Sequence, residues 1–174
     1  TTSDNKIYTG DTVSVTGVAA TYNNKKVASA SSVTFTGTLV GADSSNYILT
    51  MQSPQAATIT AKELQATGLT AGNKIYNAAL DAHVDTAFAT ISGGAAFYND
   101  GKYYTGDSVI LNTSGATGAF ATKGVGTTKG VTISGLALTG ADAGNYTVID
   151  RSGAVADITA KQLTVSGLTA SNKV

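Results

Sequence analysis

The sequence predicts an all-β protein, and three observations lead to this prediction. Valine, isoleucine and leucine alternate with threonine and serine in short runs, for example residues 12–16, 33–36 and 131–134. Such alternation places apolar side chains on one face of a strand and polar ones on the other, as in a half-buried antiparallel sheet. Glycines interrupt these runs as turns require, and no window has the 3.6-residue apolar period of a helix.

Composition excludes several functional classes. The 174 residues carry 11 basic and 11 acidic side chains, with Arg151 as the single arginine. Because DNA or RNA binding needs clustered Lys and Arg to neutralise phosphates, we expect no nucleic-acid partner. No stretch approaches the ~18 consecutive apolar residues of a membrane span, so we expect no membrane insertion. The absence of cysteine excludes disulfides, thiolate metal sites and cysteine nucleophiles.

Internal repeats organise the chain into two copies of one unit and the beginning of a third. Asn-Lys-Ile-Tyr occurs at 5–8 and 73–76, and Asn-Lys-Val ends the chain at 172–174. The second copy is longer, with extra residues between Tyr76 and about Gly115. Residues 87–92, an Asn-Asp-Gly turn at 99–101 and residues 102–111 predict an inserted β-hairpin there.

The repeats predict three segments. Residues 1–60 form a short β-sandwich repeat that lacks its own first strand, and residues 61–160 form a long one. Residues 161–174 are the first strand of a following repeat or a strand donated to another molecule. The joint near residue 61 contains neither Gly nor Pro, which predicts a stiff connection.

A second repeated motif, Gly-Ala-Asp-x-x-Asn-Tyr, refines the fold. It occurs at 41–47 and 140–146 and is typical of a tyrosine corner, in which a tyrosine hydroxyl bonds to upstream backbone in immunoglobulin-like sandwiches. We therefore expect a structural corner at Asp43 and Tyr47 and another at Asp142 and Tyr146. The predicted fold is a tandem of immunoglobulin-like β-sandwich domains, the second with an inserted hairpin.

These motifs also resemble a known family. Asn-Lys-Ile-Tyr, Gly-Ala-Asp-x-x-Asn-Tyr, the run at 125–135 and the Ile-Thr-Ala-Lys-x-Leu joints at 59–64 and 158–163 are similar to YDG-type and MBG-type (mostly-β, glycine-rich) repeats. Such repeats occur in large, filamentous-haemagglutinin-like bacterial surface adhesins. The family's Tyr-Asp-Gly-Thr-Thr is replaced by Tyr-Thr-Gly-Asp-Thr at 8–12. The resemblance implies a secreted, stalk-forming repeat without catalysis.

Candidate ligand contacts and catalytic groups are few. Tyr98, Asn99, Tyr103 and Tyr104 on the predicted hairpin are candidate contacts to sugar or protein, although we favour the alternative that alternate residues such as Phe97 and Tyr103 cover the sandwich. His83 lies between Asp81 and Asp85 but has no accompanying nucleophile motif. The aspartates at 81 and 85, or at 100 and 107, lack the spacing of known calcium loops. We expect no enzyme, no cofactor and no metal.

The expected function is a structural stalk or adhesive module of an exported bacterial surface fibre, acting by stiff tandem stacking at the cell surface. Its partners would be neighbouring repeats or other copies of itself. Two alternatives stay open: a glycan- or host-protein-binding adhesin module that uses the inserted hairpin, and a filament subunit that assembles head-to-tail by strand exchange.

Overall fold

The computed structural model describes residues 6–150 and 153–174 and divides the chain into two compact units, Thr1–Ala61 (unit 1) and Lys62–Val174 (unit 2). The all-β prediction is confirmed. The described residues contain fourteen strands, and their helical structure consists of two single 3-10 turns, Ser44–Asn46 and Ala143–Asn145. Each turn follows a Gly-Ala-Asp sequence, one in each unit.

Unit 1 is built on one antiparallel sheet. Its strands are β1 (Ser14–Tyr22), β2 (Ser32–Val40) and β3 (Gln55–Ala56), in the order β1-β2-β3. The register of β1 and β2 shifts between Thr16 and Ala19, where Gly17 adopts a φ of 61° that glycine accepts without a Cβ penalty. Among the described residues of unit 1, Ala30 is the one fully buried apolar side chain, so the sheet's inner face is poorly covered.

Unit 2 contains the larger set of strands. They are β4 (Lys62–Ala66), β5 (Thr70–Ala71), β6 (Lys74–Ile75), β7 (Asp81–Ala82), β8 (Val84–Asp85), β9 (Ile110–Asn112), β10 (Thr117–Phe120), β11 (Gly126–Ser134), β12 (Ala137–Thr139), β13 (Tyr146–Asp150) and β14 (Val155–Thr159). Five form a sheet in the order β6-β14-β11-β10-β7, and the others pair as β12-β9, β13-β4 and β5-β8.

Two of the pairings in unit 2 are parallel. Strand β4 lies beside β13, with Lys62 opposite Tyr146 and Ala66 opposite Asp150, and β6 lies beside β14. Burial alternates along β4, so that Lys62, Leu64 and Ala66 face inward while the intervening Glu63 and Gln65 are exposed. Strand β4 therefore covers the interior of unit 2 on one side.

The core of unit 2 consists of two groups of buried side chains. The larger includes Leu69, Phe120, Val131, Ile133 and Ile158. The smaller consists of Leu64, Val109 and Tyr146, with Ile91, Tyr103 and Leu138 packed against it. Close packing of this kind supplies most of the hydrophobic stabilisation of a small domain.

The predicted inserted hairpin is wrong. The Asp100 carboxylate accepts hydrogen bonds from the backbone N–H groups of Ala96, Phe97 and Lys102, which hold the Asn-Asp-Gly segment as a loop instead of a hairpin turn. Tyr103 bridges to Gly93 in parallel orientation. The extra residues of the second copy instead supply the two-residue strands β7 and β8.

Candidate functional site

Each unit contains a tyrosine whose hydroxyl makes two hydrogen bonds to a loop earlier in the chain. The Tyr47 hydroxyl donates to the Asp11 carboxylate at 2.6 Å and accepts from the Tyr8 N–H at 2.9 Å. In unit 2 the Tyr146 hydroxyl donates to Asp107 at 2.5 Å. It also accepts from the Tyr104 N–H at 3.0 Å. The two corners are therefore built from matching atoms.

The aspartate of each Gly-Ala-Asp motif ties down the same loop. Asp43 accepts from the Thr12 N–H at 2.8 Å, and Asp142 accepts from the Ser108 N–H at 3.0 Å. The preceding glycine has positive φ in both units, and a Cβ at Gly140 would overlap the Ser108 carbonyl oxygen. Through these contacts the aspartate and the tyrosine of each motif bind the same earlier loop of their unit.

The geometry identifies a repeat that the sequence alignment missed. The hydroxyl contacts match Tyr8 to Tyr104 and Asp11 to Asp107, so Tyr-Thr-Gly-Asp at 8–11 corresponds to Tyr-Thr-Gly-Asp at 104–107. The Asn-Lys-Ile-Tyr match had paired Tyr8 with Tyr76. The shared tetrapeptide in the sequence could have shown this correspondence. It places the additional residues of the second copy before Lys102.

The pKa values of the two corner tyrosines are both raised, but for different main reasons. Burial raises the pKa of Tyr146 to about 12, and the hydrogen bond to the Asp107 carboxylate acts in the same direction. The pKa of Tyr47 is also raised, chiefly by its hydrogen bond to Asp11. Because the phenolate loses the donated hydrogen bond and repels the carboxylate, both corners favour the neutral phenol.

Lys62 places a buried ammonium group beside the unit 2 corner. Its Nζ donates to the Asp100 carboxylate at 2.5 Å and to the Lys102 carbonyl oxygen at 2.6 Å, and it lies 5.1 Å from the centre of the Tyr104 ring. The Lys62 hydrogen bond holds the pKa of Asp100 well below its usual range. The group anchors β4 to the loop that carries Asp100.

A second lysine, Lys74, lies just before the extra residues of the second copy and binds the first of them. Its Nζ donates to the carbonyl oxygens of Ala79 and Asp81 and pairs with the Asp81 carboxylate at 3.3 Å. It also lies over the Phe120 ring. A hydrogen bond from Asn77, with Lys74 beside it, lowers the pKa of Asp81. The side chain of the preceding Asn73 accepts a hydrogen bond from the Asp157 N–H. The side chains of this Asn-Lys pair therefore both bind backbone groups.

The four candidate contact residues differ in burial: Tyr103 is partly buried and the other three are exposed. Tyr98 and Asn99 are exposed, whereas Tyr103 packs against the smaller core group. The Tyr104 ring lies beside Lys62, and its N–H bonds to Tyr146. Sequence proximity thus grouped side chains of different burial, and their role as ligand contacts stays a prediction.

The residues considered for catalysis or metal binding make other contacts. His83 is exposed, Asp81 contacts Lys74 and Asn77, and Asp85 accepts from the Ala87 N–H. Within residues 6–150 and 153–174, no three His, Asp or Glu side chains come together as metal ligands. The same residues contain no helix long and apolar enough to cross a bilayer.

Two matching loops carry exposed lysines. The β1–β2 loop of unit 1 presents Lys25 and Lys26, and the β10–β11 loop of unit 2 presents Lys123. Neither loop contributes to the two ion pairs found among the described residues. A separate open groove in unit 2 lies along β11 and β13, with Val131, Val148 and Asp150 in its lining. The lysine loops are cationic and the groove is not.

Comparison with known proteins assigns the family. The YDG domain model matches residues 1–57 and again residues 60–154. The chain therefore belongs to the YDG domain family and contains two copies of that domain. Neither the curated proteins nor the solved structures contain a match to it.

This match corrects the recognition and the function expected from the sequence. The family found is the YDG domain, one of the two repeat types named above, and the assignment to bacterial surface adhesins is contradicted. The predicted adhesive stalk, its two adhesin and filament alternatives, and the description as an adhesin are therefore wrong. They had followed from the resemblance and from tandem repetition, which many unrelated functions share.

The exclusion of nucleic acid is corrected as well. The exclusion rested on net charge, and the family match contradicts it. Net charge describes the whole chain, whereas a nucleic acid contacts only one surface. The expected extracellular location stays a prediction.

Proposed function

We propose that the chain is a non-catalytic nucleic-acid-binding module in which the lysine loops of the two YDG units contact phosphates. The YDG family match supports DNA as the ligand class. The observation that carries the proposal is the recurrence of solvent-exposed lysines at matching loops, Lys25 and Lys26 in unit 1 and Lys123 in unit 2. Solvated lysines contact phosphates without first giving up an ion pair.

Hydrogen bonds shape the unit 1 loop so that its lysines project from a fixed backbone. The Asn23 side chain accepts from the N–H groups of Ser31 and Ser32. Within the loop, the Lys26 N–H donates to the Asn24 side chain at 2.8 Å, and the Lys26 carbonyl accepts from Ala30. A preorganised loop loses less conformational freedom on binding than a flexible one.

The corresponding loop of unit 2 is also held from both sides. The Ala121 N–H donates to the Gly130 carbonyl oxygen. Lys129 extends along the loop, and its Nζ donates to the Thr122 hydroxyl at 2.6 Å. Lys123 lies between these contacts and is exposed, so it is the loop's available phosphate contact.

The charge balance sets the expected strength of binding. Each neutralised phosphate contributes about −0.9 to the slope of log K against log salt, so three lysines predict a total slope between about −2 and −3. With a net charge of zero, long-range attraction adds little. Affinity should lie in the range of non-specific binding, roughly 10⁻⁴ to 10⁻⁶ M at physiological salt.

The test is a titration of a short fluorescent DNA duplex, followed by anisotropy over a series of salt concentrations. We expect binding at low salt and a salt slope near the value above. Replacing Lys25 and Lys26 by alanine should reduce the magnitude of the slope by about two, and Lys123→Ala should reduce it by about one. Lys173→Ala, outside both loops, is the matched control and should leave the slope unchanged.

Three comparisons decide the outcome. Failure to bind any duplex at low salt, or equal slopes for the loop variants and Lys173→Ala, contradicts the proposal. A duplex that contains 5-methylcytosine and binds more tightly than its unmethylated counterpart would add base recognition to the phosphate contacts. Equal binding would limit the function to the DNA backbone.

We also propose that each YDG unit is an immunoglobulin-like sandwich, with bounds near 1–60 and 61–160 and with residues 161–174 as a further strand. The tyrosine corners at Tyr47 and Tyr146 support this finer assignment. A crystal structure in which the strands of each unit do not form two facing sheets would contradict it.

A further inference from the structure

Residues 96–102 of unit 2, here called the aromatic loop, present two consecutive aromatic side chains to solvent. Phe97 is 69% exposed and Tyr98 is 80% exposed, and Asn99 beside them is exposed as well. In the same unit the Phe120 ring is almost completely buried. An aromatic ring left in water forgoes the free energy that its burial would supply. The display of two such rings side by side therefore points to a contact with a ligand.

The backbone of the aromatic loop is fixed from within and from β4. The Asp100 carboxylate accepts hydrogen bonds from the Ala96 N–H at 2.7 Å and the Phe97 N–H at 3.2 Å. The Gly101 carbonyl oxygen accepts from the Gln65 N–H at 2.9 Å. Gly101 has a φ of 71°, and a Cβ there would overlap the Gln65 side chain. The two rings thus project from a preorganised loop, which loses less conformational freedom on binding than a flexible one.

The charges of the aromatic loop favour an anionic ligand. Asp100 is the one carboxylate within residues 96–102, and the buried Lys62 ammonium group neutralises it. Lys102 is exposed, and neither of the two ion pairs found in the described part of the chain includes it. Lys102 is therefore the excess positive charge beside the two exposed rings.

A second turn among the extra residues of unit 2 provides an internal comparison. Phe88 is 82% exposed and follows Asp85, whose exposed carboxylate accepts from the Ala87 N–H. Residues 77–95 contain no lysine or arginine. Phe88 is thus as exposed as Tyr98, but it lies near a negative charge and lacks a neighbouring positive one.

We propose that the aromatic loop is a base-stacking site for single-stranded DNA. Phe97 and Tyr98 stack on unpaired bases, and Lys102 contacts a neighbouring phosphate. This inference rests on the DNA binding proposed above, and it specifies the form of DNA that this part of unit 2 binds. It adds a contact that is separate from the two lysine loops.

The physical basis is the difference between paired and unpaired bases. In a duplex the bases stack on one another and present only their edges in the grooves. In a single strand their flat faces are accessible, and aromatic side chains stack on them with little dependence on sequence. A lysine beside the rings adds attraction for the phosphates that connect successive bases.

The first experiment measures binding of the full chain to a fluorescent single strand by anisotropy, at one low salt concentration. The reference is an abasic strand of the same length, which has the same phosphates and no bases. The chain should prefer the normal strand. The double variant Phe97→Ala and Tyr98→Ala should weaken binding to the normal strand at least about fivefold, and should leave binding to the abasic strand unchanged.

Phe88→Ala is the matched control for this experiment. It removes an equally exposed ring from the other turn and should retain full affinity for the normal strand. None of the three substitutions removes a buried side chain, since all three rings are exposed. Circular dichroism of each variant checks that the fold is retained.

The second experiment separates stacking from general apolar contact. Tyr98→Phe keeps the ring and should bind the normal strand like the unmodified chain. Tyr98→Leu keeps an apolar side chain without a π face and should weaken binding as Tyr98→Ala does. Lys102→Ala should reduce the magnitude of the salt slope for the single strand by about 0.7, the contribution of one phosphate.

Several results would overturn the proposal. These are equal affinity for the normal and abasic strands, equal losses for Phe88→Ala and the double variant, and full affinity of Tyr98→Leu, which would indicate an apolar partner. If these results occur while the lysine-loop variants still weaken duplex binding, base stacking is wrong and the proposed function stands. Absence of binding to any DNA, single- or double-stranded, would contradict both.

Discussion

The two YDG units have the same corner but different interiors. Tyr47 and Tyr146 make the same pair of hydrogen bonds, yet Tyr146 is buried and Tyr47 is only half-buried. The difference in burial arises because β4 lies beside Tyr146–Asp150 in unit 2. Unit 1 has no described counterpart of β4. The corner fixes the path of the loop, and an added strand completes the core.

The largest expected effect is loss of the leucine through which β4 enters the core. Leu64→Ala should lower the free energy of unfolding of unit 2 by about 2 to 5 kcal/mol, because it leaves a cavity among close-packed side chains. Leu163→Ala, at the matching position of the exposed residues 161–168, should change the stability of the chain by less than about 0.5 kcal/mol. Urea unfolding followed by circular dichroism measures both, and equal effects would contradict the comparison.

A smaller effect is expected from removing the corner hydroxyl. Tyr146→Phe leaves the Tyr104 N–H and the Asp107 carboxylate without a partner, and should cost about 1 to 3 kcal/mol. Tyr47→Phe should cost less, because water reaches the half-buried corner of unit 1. The same unfolding measurement compares the two variants. A larger loss of unfolding free energy for Tyr47→Phe would contradict the explanation by burial.

Tyrosine titration gives an independent measure of the same corner. The pKa of Tyr146 is raised to about 12, while an unfolded tyrosine titrates near 10. The stability from this group is therefore complete below about pH 10 and is lost as the pH rises toward 12. Absorbance of the phenolate should show a late-titrating tyrosine that Tyr146→Phe removes; if the variant retains it, the assignment is wrong.

A glycine substitution tests what the two corners share. Gly140→Ala and Gly41→Ala should both destabilise their units, because each glycine has positive φ and a Cβ would overlap a backbone oxygen. Left-handed backbone alone costs an alanine about 1 to 2 kcal/mol. Gly144→Ala, with open space around its Cβ position, is the control. A tolerated Gly41→Ala would show that the unit 1 corner is not held as in unit 2.

The smallest expected effect is an acid-dependent loss of stability confined to unit 2. Because Lys62 lowers the pKa of Asp100 in the folded state, the unfolded chain takes up this proton first. The stabilisation is present above about pH 4, the ordinary aspartate value, and is lost as the pH falls toward the folded-state pKa. Asp100→Asn should reduce the pH dependence of the unfolding midpoint in that range; an unchanged pH profile would contradict this role.

The sequence by itself determined the features that depend on local pattern. Period-two alternation gave the all-β class, since strand faces depend only on neighbouring residues. The two copies of Gly-Ala-Asp-x-x-Asn-Tyr marked both corner sites before any contact was known. The lysines of the two loops are likewise present in the sequence, and a net charge of zero does not exclude a locally cationic loop.

Tertiary structure decided which distant segments meet. The inserted hairpin was mispredicted because Asp100 bonds to nearby backbone and to Lys62, contacts that turn propensity does not encode. Segments 62–69 and 161–168 have nearly the same local pattern, yet Leu64 is buried and Leu163 is exposed. Local sequence made both segments able to form a strand, and only a partner placed beside it by the fold buried one of them, because strand pairing is a long-range interaction.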